Sequence, residues 1–277
     1  MPEINDTVPH QVNLIPTENT VVTGTIGDGS CFIHSLIFGM SAREYYEKSL
    51  ESRIEYVRHV RKLLSNTFTF NEWINFNNIE IVINNLIINI VEKLYENETF
   101  ISSDTFKSDV TFKSYNDVDA ANMFTTIFNM REPWSPAEYI RRLSEFFGHH
   151  YAKKIVDGAI NRSYKRFIRD IANPNEWIGD DIVEKAPGYL TTPSIRPILE
   201  KMQIFAIIIN DDGDIYQDIK FNREYLLKFK FAVMINYTGN SHYDSMGIVN
   251  QQNKIDRLFK LDDERIQPLL DNMIEEA

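Results

Sequence analysis

The chain has 277 residues, 43% of them hydrophobic, and a formal net charge of −11. That much apolar mass can bury a substantial core, while the acidic balance disfavours nucleic acid, whose binding rewards a basic surface through counterion release. Its single cysteine excludes a structural disulfide and suits a reducing compartment, and Asn or charge interrupts each apolar stretch well short of a membrane span.

In chain order, the first dozen residues are polar, lack a basic apolar leader, and are expected to be mobile and remote from any chemistry. Residues 19–26 read as a short strand. Gly27-Asp28-Gly29-Ser30-Cys31-Phe32 follows, and Phe32, Ile33, Leu36 and Ile37 then recur at helical spacing. Cys31 is therefore predicted at a helix N-terminus, where exposed amides and the macrodipole favour a thiolate. Gly27 and Gly29 let the backbone turn so that its amides face the sulfur, or an oxyanion formed when the sulfur attacks a carbonyl. Ser41-Ala42-Arg43-Glu44 is a capping-box pattern, and Ile54, Val57, Val60 and Leu64 form an apolar stripe on a core helix.

Further on, residues 71–98 carry one helical face (Phe76, Ile79, Ile83, Leu86, Ile87, Ile90, Leu94), and residues 117–130 are a weaker helical pattern. Ser135-Pro136-Ala137-Glu138 combines a capping box with a first-turn proline and opens a helix carrying Tyr139, Leu143, Phe146 and Phe147. Another helix is predicted over 155–171. His149-His150 project about 100° apart on a helix, with no matching cysteine or acid cluster, so no metal site is expected there.

Thr192-Pro193-Ser194-Ile195 starts a helix through Lys201, and residues 203–210 read as a central strand. Asp211-Asp212-Gly213-Asp214 lacks the remaining ligands of a calcium loop and reads as a turn into a strand over 215–219. Residues 231–237 form a buried strand, 238–241 a turn, and His242-Tyr243-Asp244-Ser245-Met246-Gly247 the start of another strand. A thiolate nucleophile needs a base, and among six histidines only His242 has the context. Residues two apart on a strand share a face, so Asp244 can orient the imidazole; Asp28 is a second candidate for that role.

Gly-Asp-Gly-Ser-Cys-Phe at 27–32, followed much later by a strand and His-Tyr-Asp at 242–244, resembles the ovarian tumour (OTU) family of cysteine deubiquitinases. Ser30 stands where the family usually has Asn, and His34 where it often has Arg. Asn173-Pro174-Asn175-Glu176-Trp177-Ile178-Gly179 looks like the family's tryptophan loop. The resemblance spans roughly residues 19–66 and 173–249. It implies an α+β cysteine-protease fold, a small central sheet flanked by helices, within one catalytic domain over 1–277. The surplus at about 67–172 is then an inserted helical lobe, which either stabilises the core or binds ubiquitin. The position of that lobe is similar to the arrangement in effectors secreted by intracellular bacterial pathogens, whose place of action is the host-cell cytoplasm. The Asn- and Ile-rich composition suits viral members equally.

By the same resemblance, Cys31 attacks the carbonyl of ubiquitin's terminal glycine, His242 accepts and returns the proton, and Asp28 or Asp244 orients the imidazole. The amides of Asp28, Gly29, Ser30 and Cys31 line the oxyanion position. Trp177, Glu176, Asp180 and Asp181 meet the arginine-bearing ubiquitin tail, since guanidinium–carboxylate contacts are strong and directional. Expected partners are ubiquitin and polyubiquitin chains, with no cofactor, metal, nucleic acid or membrane insertion, and a monomeric chain. The alternatives are a silent ubiquitin-binding module, or a cysteine protease or acyltransferase acting on another protein.

Overall fold

The computed structural model describes residues 3–4, 10–12, 19–76, 135–147, 149–178, 195–215, 223–238 and 242–274. The helical face beyond Phe76, the helix over 117–130, Asp180 and Asp181, the start signal at 192–194, the strand beyond Ile215 and the turn residues 239–241 lie outside them. In chain order the described elements are β1 (Glu3–Ile4), β2 (His10–Val12), β3 (Thr20–Thr23), β4 (Ile26–Gly27), α1 (Cys31–Met40), α2 (Ala42–Tyr46), α3 (Leu50–Thr67) and α4 (Phe70–Phe76). After these come α5 (Pro136–Phe147), α6 (His149–Ala172), α7 (Ile195–Met202), β5 (Phe205–Asn210) and α8 (Arg223–Leu226). The chain closes with β6 (Phe231–Thr238), β7 (His242–Val249), β8 (Ile255–Asp256), β9 (Leu258–Lys260) and α9 (Gln267–Met273). The class is α+β, as expected.

Backbone contacts divide the chain into two compact units. The first comprises Met1–Thr67, Ile168–Asp181 and Thr192–Ala277. Its main sheet has the order β2-β3-β7-β6-β5, with β8 added to β7 and β9 to β6. Only β5 and β6 run parallel, joined by a crossover; the other pairs are antiparallel. Phe205 to Ile209 and Ala232 to Ile235 are all fully buried. Both strands therefore read as continuous apolar runs rather than alternating ones, the pattern of strands covered on both faces. Helix α1 packs on β6 and β7. At Gly39 the approach is so close that a Cβ would stand 2.6 Å from a Val233 methyl.

The second unit comprises Phe68–Phe167 and Ile182–Thr191. Its core is aromatic: Phe70 stands edge-on to Tyr164, and Trp73 lies 5.8 Å from Tyr164 between ring centroids. The Tyr164 hydroxyl donates to the Phe68 carbonyl at 2.9 Å. Helix α5 begins where its start signal places it, with Ser135 Oγ accepting from the Glu138 amide at 3.3 Å. Tyr139 and Leu143 face the core. Helix α6 starts at His149, earlier than the apolar pattern indicated, because His149, His150, Lys153 and Lys154 are polar and exposed and leave Ala152 as the buried contact there.

Four expectations need correction in the first unit. The opening residues contribute two strands, β1 paired with β4 and β2 with β3, since pairing with a strand edge uses backbone groups and needs no apolar side chain. The single strand over 19–26 is two, broken at Gly24 and Thr25, because Thr25 turns its amide and hydroxyl toward Asp244 and the Tyr243 carbonyl. Ser41 makes no side-chain cap; its amide closes α1 on the Ile37 carbonyl, and α2 is a single short turn. The central strand begins at Phe205, after Gln203 has taken a left-handed conformation (φ 56°) that ends α7. The turn at 211–214 forms as expected, with Asn210 Oδ1 accepting the amides of Asp212 and Asp214.

Candidate active site

Helix α1 begins at Cys31, where the glycine-rich loop ends, so the thiol sits at the helix N-terminus, 1% exposed. Strand β7 begins at His242, opposite Thr238 at the end of β6. Residues 242 and 244 share a face, and His242 Nε2 donates to Asp244 Oδ1 at 3.0 Å. That bond fixes the imidazole's orientation, and the Cys31 thiol is the ring's other polar neighbour. Burial alone would lower the His242 pKa; hydrogen bonds to Asp244 and Cys31, and the charges of both, outweigh it and push it up to about 10 from 6.5.

The Asp244 carboxylate is itself held. Its Oδ1 also accepts the Thr25 amide at 2.8 Å, and the carboxylate is buried. The neighbouring Tyr243 carbonyl accepts from Thr25 Oγ1 at 2.6 Å and from Ser35 Oγ at 2.8 Å. Asp28 turns elsewhere: Oδ1 accepts the Ser30 amide at 2.7 Å, and Oδ2 stands 3.5 Å from His34 Nε2. His34 is fully buried, and its Nδ1 hydrogen-bonds the Tyr45 hydroxyl rather than the thiol. Of the two candidate carboxylates, Asp244 touches the imidazole and Asp28 shapes the cysteine loop.

Three of the four loop amides are committed to bonds inside the loop. Asp28 N donates to Ile26 O at 3.0 Å, Ser30 N to Asp28 Oδ1 and Cys31 N to Asp28 O at 3.2 Å. The Gly29 amide donates to no acceptor among the described residues. Gly29 also has no room for a side chain, since a Cβ would lie 2.8 Å from the Pro174 carbonyl oxygen and the Asn175 carbonyl carbon. The Trp177 loop thus packs directly on the cysteine loop. Trp177 stacks on Tyr243 with centroids 5.8 Å apart and planes 18° apart, while the Glu176 side chain is exposed.

Sequence reading missed Arg61. Its guanidinium, fully buried, lies on α3 between Val57 and Leu64, within the stripe expected to be apolar. Its Nη1 donates to the Gly29 carbonyl and Ser30 Oγ, Nη2 to the carbonyls of Asp170 and Glu176, and Nε to that of Ile171. A charged residue four positions after Val57 and three before Leu64 was the available signal. No group of His, Cys, Asp and Glu among the described residues is placed to hold a metal ion.

No protein-family model matches the chain, and no curated protein matches it. Among solved structures it is similar to an ovarian tumour (OTU) domain in complex with ubiquitin, at 15% identity and a TM-score of 0.36, over 91% of this chain and 81% of that one. At that overlap the fold and the site rest on the geometry above. Among the described residues, no helix is long and apolar enough to cross a membrane.

Proposed function

We propose that the chain is a cysteine deubiquitinase of the OTU type, hydrolysing the isopeptide bond after ubiquitin's terminal glycine. The observation that carries this reading is a sole cysteine at a helix N-terminus facing a histidine that a buried carboxylate orients. A thiol from one part of the chain and an imidazole–carboxylate pair from another are the groups that thiol acyl transfer uses, which supports this reading.

In this mechanism the Cys31 thiolate, paired with the His242 imidazolium, attacks the glycine carbonyl. The new C–S bond forms as the carbonyl π pair moves to oxygen, and the Gly29 amide is the loop's open donor for that oxyanion. On collapse the C–N bond breaks, and His242 gives its proton to the departing lysine amine. The imidazole then takes a proton from water, the resulting hydroxide attacks the thioester, and Cys31 leaves as thiolate with the proton back on His242. Asp244 holds the ring through both half-reactions, and Asp28 keeps the loop folded by holding Ser30. Trp177 and Glu176, followed in the sequence by Asp180 and Asp181, are the residues read as meeting the arginine-bearing tail. The net charge of −11 suits such a basic partner. The helical lobe at about 67–172 is read as an insertion in one catalytic domain.

The direct test is cleavage of purified ubiquitin chains. Cys31→Ala is expected to abolish turnover and His242→Ala to reduce it at least 10²-fold, the lower end for loss of an acid–base group. Full activity in Cys31→Ala would overturn the mechanism.

A further inference from the structure

The guanidinium of Arg61 has five N–H donors, and all five are used. Two go to the cysteine loop, at 2.9 Å to the Gly29 carbonyl and 2.8 Å to Ser30 Oγ. Three go to the segment leading to Trp177, at 2.8 Å to Ile171 O, 2.8 Å to Asp170 O and 2.9 Å to Glu176 O. Ser30 Oγ passes the link on by donating to the Pro174 carbonyl at 3.3 Å. A planar fork can satisfy five acceptors in this way only if they are arranged around one plane, so the two segments must hold a fixed relation. None of the five acceptors is a carboxylate.

The Gly29–Ser30 peptide is pinned at both ends. Arg61 holds its carbonyl and Asp28 Oδ1 holds its N–H. The preceding peptide has its carbonyl on the Cys31 amide, which directs the Gly29 N–H the opposite way, because a trans peptide points its two polar groups apart. Both the start of the cysteine helix and the loop's open amide therefore depend on where Arg61 sets that peptide.

Resting on the reading of Cys31 as nucleophile, we propose that Arg61 is a positioning residue, acting through Gly29 and Ser30 to fix the Cys31 loop against the Trp177 segment. The acidic groups around the guanidinium are Asp28, Glu176, Cys31 and Asp170. Burial lowers the Arg61 pKa to about 10 despite their opposing pull, which leaves the fork cationic at neutral pH. A lysine offers three donors from one point and cannot reach both segments, so the conservative replacement does not rescue the clamp.

The test measures amide hydrogen exchange in wild type, Arg61→Lys and Arg61→Gln, comparing the peptide around residues 28–33 with those of β6 and β7, on chains whose fold is verified by circular dichroism. A positioning role speeds exchange at Ser30 and Cys31 at least tenfold while β6 and β7 keep their protection. Unchanged exchange in the loop, or acceleration of loop and strands in step, overturns the proposal. So does unfolding of both variants, which makes Arg61 a residue of global stability. A second arm follows ubiquitin cleavage, where kcat falls at least tenfold with KM retained. Exchange needs no substrate, so a wild type inactive on ubiquitin defeats the proposed function and leaves the positioning claim to be judged by exchange alone.

Discussion

The two halves of the site are held by different forces. On the histidine side, His242 and Asp244 open a strand whose partner β6 runs through the core, and Tyr243 between them packs against Phe32, Tyr237 and Trp177. Ladder pairing and apolar burial place those groups. On the cysteine side, residues 28–30 carry no large apolar side chain, and beyond the close contact of Gly29 with the Trp177 loop they are held by the hydrogen bonds of Asp28, Ser30 and the buried Arg61. Apolar packing is non-directional and tolerates small changes, whereas a buried polar network loses the full desolvation cost of whatever it leaves unpaired. The cysteine half is therefore the brittle one.

Substitutions can break this division of labour. After Cys31 and His242 themselves, the largest loss is expected at Asp244, whose carboxylate serves the imidazole and the Thr25 amide together. Asp244→Ala should lower kcat roughly 10²- to 10⁴-fold. Asp28→Ala, which frees one loop amide without touching the imidazole, should lower it only about tenfold, or 1.4 kcal/mol. Chain-cleavage kinetics on the pair decide it, and an equal or reversed order would put Asp28 in the orienting role. Gly29→Ala comes next. Its Cβ meets backbone atoms that cannot rotate away, so overpacking should destabilise the fold by about 1–3 kcal/mol in a denaturant titration. A neutral result would mean the Trp177 loop gives way easily.

The smallest effect is a pH dependence on the histidine side. Because the His242 pKa is raised from 6.5 to about 10, its contribution to stability is fully present below pH 6.5 and is lost as pH rises through 10. The stability difference between wild type and His242→Asn should therefore shrink between pH 6 and pH 10. A difference constant over that range would contradict the imidazolium assignment.

The histidine half was legible in the sequence because its rules are local. A buried apolar run, a turn and a period of two place His242 and Asp244 on one face whatever the rest of the chain does. The helix starting at Cys31 and the start at Ser135 were legible for the same reason. The orienting carboxylate was not, since Asp28 and Asp244 are equally acidic and only the tertiary route of Thr25 and Ser30 separates them. Arg61 was hidden because its partners lie in the loop at 29–30 and the segment 170–176, and almost all of them are backbone carbonyls, which no residue identity announces. Strands β1 and β2 escaped for a related reason, as edge pairing asks little of side chains.

The most direct test of Cys31 as a ubiquitin-directed nucleophile is the intact mass of the chain after incubation with ubiquitin bearing a C-terminal thiol-reactive group, with Cys31→Ala as control. Because Cys31 is the sole thiol, the account predicts one covalent ubiquitin on wild type and none on the variant. Absence of an adduct on a folded chain whose Cys31 still reacts with a small alkylator would contradict it.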